Sequence, residues 1–299
     1  METPFWGFSA VPHPEDARRV RSEYFSSDGG LLTFALALRG PLMTLPEVTR
    51  ADWRMADDLD ARISVHVGMR VTGLHGQAVQ ELSDAGLLNG RTTYVHANTQ
   101  TDAELQLIAR TGGSASVAPY VEMVMGHGHP PLGRLVRAGV TPSLSTDVAT
   151  TVPGDMFTQM RTALAQDRIQ SFGNDIDVPF AASLTHADVF RFATQAGADA
   201  CGLGSRAGSL TVGKAADIVL IRADAVNTMP VIDPLATVVT AADTSNVDTV
   251  LVGGTVVKRN GRLVGVDLAR LTDLVNRSRD RVLAKAGVTP DWLSEHSAS

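Results

Sequence analysis

Between residues 31 and 170 short apolar runs alternate with longer stretches whose apolar positions recur at helical spacing. The runs are Leu31–Leu38, Ile63–Val67, Thr92–Val95, Ala115–Val117 and Pro142–Ser145. They are rich in Val, Leu and Ile and follow one another at intervals of roughly 20 to 30 residues, the spacing of strand-plus-helix repeats. Such repeats build a parallel sheet. Two helix starts are marked in the intervening segments. Thr101-Asp102-Ala103-Glu104 precedes Leu105, Leu107 and Ile108, and Thr185-His186-Ala187-Asp188 precedes Val189 and Phe192. Both have the form of a capping box, in which a hydroxyl and a carboxylate satisfy free N–H groups of the first turn.

Residues 171–183 show no consistent period and contain both Gly and Pro, so they read as a mobile loop. A helix is expected over about 186–200, and after it the period changes to that of strands. Asp217–Arg222, Val247–Val252 and Thr255–Lys258, with the segment 261–265, are separated by Gly253-Gly254 and Asn260-Gly261. Those pairs suit tight hairpin turns, which need positive φ. Leu268–Ala286 reads as a terminal amphipathic helix with Leu271, Leu274, Val275 and Val282 on one face. The expected organisation is therefore an α/β unit over 1–204 and a smaller β unit with a terminal helix over 205–299.

Composition narrows the function classes. The 299 residues carry 26 Lys and Arg against 32 Asp and Glu, a net charge of −6, with no basic run to neutralise phosphates. Nucleic acid is not an expected partner. The longest strongly apolar run, Leu31–Leu38, falls far short of the roughly 20 residues of a membrane-spanning helix. The start Met1-Glu2-Thr3-Pro4 lacks the basic and apolar regions of a secretory signal, so the expected location is the cytoplasm. With a single cysteine, Cys201, the available metal ligands are His, Asp and Glu.

One near-match is set aside. Gly208-Ser209-Leu210-Thr211-Val212-Gly213-Lys214-Ala215 has the glycine and lysine spacing of a phosphate-binding loop. Ala215 has no hydroxyl for Mg²⁺, and the segment leads into a strand, not a helix N-terminus. More informative are Val65-His66-Val67, Tyr94-Val95-His96 and Leu144-Ser145-Thr146-Asp147, each with a ligand-type side chain at or just past the C-terminal end of a strand. That end carries the active site in parallel barrels. A lone His beside a strand is commonly a hydrogen-bonded core residue, and Asp147 alone reads as the N-cap of the next helix. Three in one repeating position point to a metal-assisted site.

At these residues the sequence resembles the amidohydrolase superfamily, in its cytosine deaminase and triazine hydrolase branch. Tyr94-Val95-His96-Ala97-Asn98 is similar to the sixth barrel strand of that family, Leu144-Ser145-Thr146-Asp147 to the eighth, and the segment 207–220 to the family's small β domain. The resemblance implies a (β/α) barrel of the TIM type and hydrolysis of a carbon–nitrogen bond in a small nitrogenous or cyclic substrate. His66 would be a metal ligand, with Asp147 both a ligand and the base that takes a proton from water. His96 would polarise the substrate or the attacking water. The implied cofactor is a divalent metal, Zn²⁺ or Fe²⁺.

Two departures qualify this expectation. Met69 stands where deaminating members carry a Glu that protonates the substrate, and a thioether shuttles no protons. It would instead line an apolar pocket. Glu122 is a candidate replacement beside the alternative of a surface Glu, and His127, in Gly126-His127-Gly128-His129, is a candidate substrate contact. The family's first strand ends in a His-x-His pair, and none precedes residue 31, where His13 stands alone between prolines. The expected barrel is incomplete, lacking about three βα units, with His66 and Asp147 as its only metal ligands. An incomplete barrel has open edges, so a homo-oligomer or a complementing chain is expected. The alternative is a degenerate, metal-free member acting as an isomerase, a cyclase or a structural subunit.

Overall fold

A computed structural model describes residues 8–70, 77–172 and 183–289. Five strands, β1 (Ala35–Leu38), β2 (Arg62–Val67), β3 (Thr92–His96), β4 (Ser114–Val117) and β5 (Pro142–Leu144), form one sheet in chain order. Every neighbouring pair is parallel. The first helix, α1 (Asp16–Tyr24), precedes this sheet. The connections carry α2 (Pro46–Asp58), α3 (Ala78–Asp84), α4 (Asp102–Arg110), α5 (Pro119–Val124) and α6 (Leu132–Ala138), and α7 (Met156–Phe172) follows β5. The sheet with its helices is a partial TIM-type barrel.

Alternation along the strands sets what the two faces do. Ile63, Val65 and Val67 of β2 point with Tyr94, Ala115 and Val117 into one apolar core that also takes Trp53, Leu82, Leu105 and Ile108 from the helices. Burying a side chain of that size contributes about 1.5–3 kcal/mol, so this helix-facing layer holds the sheet together. The opposite face bears Ser64, Thr93, Ser114 and Ser116, and Thr93 Oγ1 lies 2.8 Å from Ser114 Oγ. It is largely small and polar, with Ala35, Ala37 and Val95 in the same rows. Gly40 follows β1 with φ +69°, and a Cβ there would meet Val65 Cγ2 at 2.4 Å, so only glycine fits beneath β2.

The first strand is shorter than its apolar run. Arg206 donates to the carbonyls of Asp28, Gly29 and Gly30, drawing the chain before β1 towards the C-terminal half, and Leu31 and Leu32 stay exposed. The helix expected over 186–200 is two, α8 (His186–Phe192) and α9 (Gln195–Ala200). Thr194 lies between them with non-helical angles and bonds its hydroxyl back to Phe190 C=O at 2.8 Å, a local alternative to the helical ladder. Both capping boxes are formed, Thr101 with Glu104 and Thr185 with Asp188. The proposed loop at 171–183 lies mostly outside the described residues.

The second sheet is antiparallel, β6 (Ile218–Ile221), β7 (Val247–Val252), β8 (Thr255–Arg259) and β9 (Arg262–Leu263), with the β7–β8 and β8–β9 turns at the two predicted glycine pairs. A short turn of helix, α10 (Pro234–Ala236), lies between β6 and β7. The final helix, α11, spans Leu268–Ala286 as the periodicity predicts, and its apolar face is exposed. Among the described residues no helix is long and apolar enough to cross a membrane.

Candidate active site

The C-terminal ends of β2, β3 and β5 meet at one rim. Val67 pairs with His96 in the β2–β3 register, so strict alternation would aim the His96 side chain to the helix side with Val67. It does not go there. The backbone at His96 and Ala97 is left-handed, φ +73° and +58°, and Ala97 N–H donates to Val95 C=O at 3.1 Å across His96. This three-residue turn is a strained arrangement for a side-chain-bearing residue, and strain of this kind collects at functional sites. It brings the His96 ring to 5.4 Å, centre to centre, from that of His66.

Asp147 reaches the same place from β5. Ser145 N–H extends the sheet by donating to Val117 C=O at 2.9 Å, and its hydroxyl accepts from Asp147 N–H at 3.0 Å. The chain then turns, with φ +57° at Asp147, whose carboxylate stands 4.0 Å from His96 Nε2. Asp147 is not the cap of α7. That role falls to Asp155, which accepts from Thr158 N–H at 2.8 Å.

Glu122 is not a surface residue. Pro119 opens α5, and Glu122 in its first turn folds back so that Oε1 accepts from Ala118 N–H at 2.7 Å and lies 3.1 Å from His96 Nδ1. Its Oε2 accepts from Asn98 Nδ2 at 2.9 Å, and the side chain is wholly buried. Past α5, His127 N–H donates to Glu122 C=O at 2.8 Å, and the His127 ring lies 5.0 Å from that of His96. His127 is 3% exposed, and its Nδ1 has no hydrogen-bond partner among the described residues. Its neighbour His129 is exposed. Met69 is buried within the main apolar core.

The electrostatics follow from this crowding. Loss of water around His66 pushes its imidazole pKa below the ordinary value, helped by His96 and opposed by Asp147. Burial lowers that of His127 too, with His96 adding and Glu122 and Asp147 opposing.

The sequence named His66, His96, Asp147, Glu122 and His127, and these five share one rim. It missed the bond between Glu122 and His96, and it gave no role to Asn98. The available signal was limited to Pro119, which marks the start of a helix and so places Glu122 in its first turn. His186 is the first residue of α8, whereas His75 and His296 lie outside the described residues.

Among the described residues no group of three or more His, Cys, Asp and Glu side chains is placed to hold a metal ion. His66 and Asp147 are donors of the right kind, but a catalytic zinc site usually has three protein ligands and an open position. Among the described residues these two donors are fewer than such a site needs.

Comparison with known proteins bears on the family and the fold. A 5'-deoxyadenosine deaminase of Methanothermobacter thermautotrophicus is 31% identical over 256 residues, 83% of this chain and 58% of the relative. The crystal structure of a zinc-bound adenosine deaminase from Xanthomonas campestris superposes with a TM-score of 0.79 at 29% identity, covering 90% of this chain and 61% of that one. The zinc complex of atrazine chlorohydrolase from Arthrobacter aurescens shares the fold, with a TM-score of 0.74 at 24% identity over 87% of this chain and 58% of that one. The chain thus spans less than two thirds of the length of these relatives. The sequence profile of the amidohydrolase family matches residues 3–257, and the chain belongs to that family.

Proposed function

We propose that this chain forms the catalytic rim of a hydrolase that cleaves a carbon–nitrogen bond in a small nitrogenous or cyclic substrate. The observation that carries the reading is the convergence of His66, His96 and Asp147, from three strands, within 5.4 Å between the two rings and 4.0 Å between His96 and Asp147. His66 and Asp147 are the chain's ligands to a divalent metal, Zn²⁺ or Fe²⁺, whose remaining donors come from outside the described residues. Such an ion lowers the pKa of bound water to about 7.

The residues of the chain divide the remaining work. Asp147, whose backbone is set by the turn at Ser145, accepts a proton from water during attack. His96 orients that water or the substrate's polar group through Nε2, the ring atom that faces Asp147. Met69 offers no proton or hydrogen bond, so a polar contact to the substrate falls to an imidazole, and His127, whose ring lies 5.0 Å from that of His96, is the candidate for it. We place the protein in the cytoplasm, working as a homo-oligomer or with a complementing chain, and take 1–204 and 205–299 as its two units.

A second reading is favoured by the count of donors and by Met69: a metal-independent member that binds a small molecule and isomerises or cyclises it, or serves as a structural subunit. Metal analysis at known protein concentration, combined with product analysis in ¹⁸O water, separates the two. Bound Zn or Fe that is lost in His66→Ala, with ¹⁸O entering the product, supports the hydrolase. Metal-free protein that converts substrate without ¹⁸O uptake supports the second reading.

A further inference from the structure

The two deeply buried imidazoles of the rim have opposite surroundings. His96 Nδ1 faces Glu122 Oε1 at 3.1 Å, and that carboxylate already receives N–H groups from Ala118 and Asn98 at 2.7 and 2.9 Å. A buried carboxylate gathered among donors is met by a further donor, so the ring proton of His96 belongs on Nδ1. Its Nε2 is then left as a bare acceptor, 4.0 Å from the Asp147 carboxylate. At His127 the buried Nδ1 has no partner among the described residues. A proton there would be a buried donor with no acceptor placed for it among the described residues, and orphaned N–H groups are rarer than under-satisfied acceptors, so the proton belongs on the other nitrogen.

We infer that Glu122 is a positioning residue that holds His96 in the Nδ1–H form with Nε2 as an acceptor, while His127 takes the opposite form and presents Nε2–H as a donor. The rim then offers an acceptor pair, His96 Nε2 and Asp147 Oδ2, suited to a group with two hydrogens such as water. Beside it stands a neutral donor suited to a carbonyl oxygen or a ring nitrogen of the substrate. This supplies from His127 the hydrogen bond that Met69 cannot make. The kinetic part of the inference rests on the proposed hydrolytic reading, whereas the assignment of the ring protons does not.

Long-range ¹H–¹⁵N NMR of the imidazoles in metal-free protein reads the ring protons directly, with His96→Gln and His127→Gln used to assign the signals. We expect an Nδ1–H pattern for His96 and an Nε2–H pattern for His127. In Glu122→Gln the amide oxygen still accepts from Nδ1–H, and the pattern at His96 is retained. In Glu122→Met no acceptor remains, and the His96 signals move to those of an exchanging mixture. Where substrate turnover is measurable, kcat falls about 100-fold in Glu122→Met with little change in KM, and Glu122→Gln recovers most of it. An Nε2–H pattern at His96 in the unmutated protein, or an unaltered pattern in folded Glu122→Met, overturns the inference. If Glu122→Met does not fold, the spectra of the unmutated protein and of Glu122→Gln decide. Correct ring patterns in a protein with no hydrolytic activity would sink the hydrolase reading alone.

Discussion

Asp147 and Glu122 are two carboxylates at one imidazole with different tasks. Glu122 is buried and fully engaged by N–H groups, whereas Asp147 is partly open to the rim. Only Asp147 is free to take a proton from a bound molecule. Asp147→Asn keeps size and backbone but removes the base, so turnover should fall by about 100-fold or more, with an unchanged melting temperature. Steady-state kinetics alongside thermal unfolding would check this, and undiminished hydrolysis would remove Asp147 from the mechanism. The buried His127 makes a separate prediction about stability. Its folded pKa lies below its ordinary value, near 6.5, so the unfolded chain takes up the proton first as the pH falls. The stability it contributes is therefore present above about pH 6.5 and is lost as the pH drops towards the folded value. Metal-free protein should melt at lower temperature at pH 5.5 than at pH 7.5, and His127→Gln should flatten that difference.

The same residues show what a linear sequence conveys. The nearness of His66, His96 and Asp147 was legible because each lies at or just past the C-terminal end of a strand, and those ends of a parallel sheet share one rim. The burial of Glu122 was not, because it depends on a contact between the first turn of α5 and a ring 26 positions earlier. No periodicity within either segment encodes that contact.

At the scale of elements, local signals were reliable where the chemistry is local. The Thr101–Glu104 box forms with both of its reciprocal bonds, and Glu104 also accepts from Gln80 N–H at 3.3 Å, linking α4 to α3. Thr101→Ala should cost about 1 kcal/mol, measured by urea unfolding, and a change within error would mean that Glu104 holds the helix start unaided. The split between α8 and α9 was not visible, because Thr194 is tolerated within helices and breaks this one only by bonding back to Phe190. The left-handed turn at His96 was equally hidden. Positive φ is uncommon outside glycine, and although His is among the residues that tolerate it, nothing in the sequence announces that His96 and Ala97 both adopt it.

For the molecule as a whole, the five strands form an arc whose outer members, β1 and β5, each pair on one side only among the described residues. Unpaired N–H and C=O groups along such edges favour association. The small polar residues of the open face make that face a poor substitute for a core, so the drive comes from the edges and from the exposed apolar side of α11. Sedimentation at several concentrations should show an oligomer or reversible self-association. A well-behaved monomer at the highest concentration would defeat that expectation.

The position of Cys201 bears on how such measurements are made. Arg62, at the start of β2, donates through Nε to Ala200 C=O at 3.1 Å, which sets the neighbouring cysteine at the opposite end of the strands from His66. Four residue steps along the strand lead from Arg62 to His66, a span of about 13 Å. Cys201 is the chain's single thiol, and it is exposed. Maleimide coupling at this sulfur would tether every molecule to a sensor surface in one orientation, with the histidine rim turned towards the flowing solution and ready to meet small-molecule analytes.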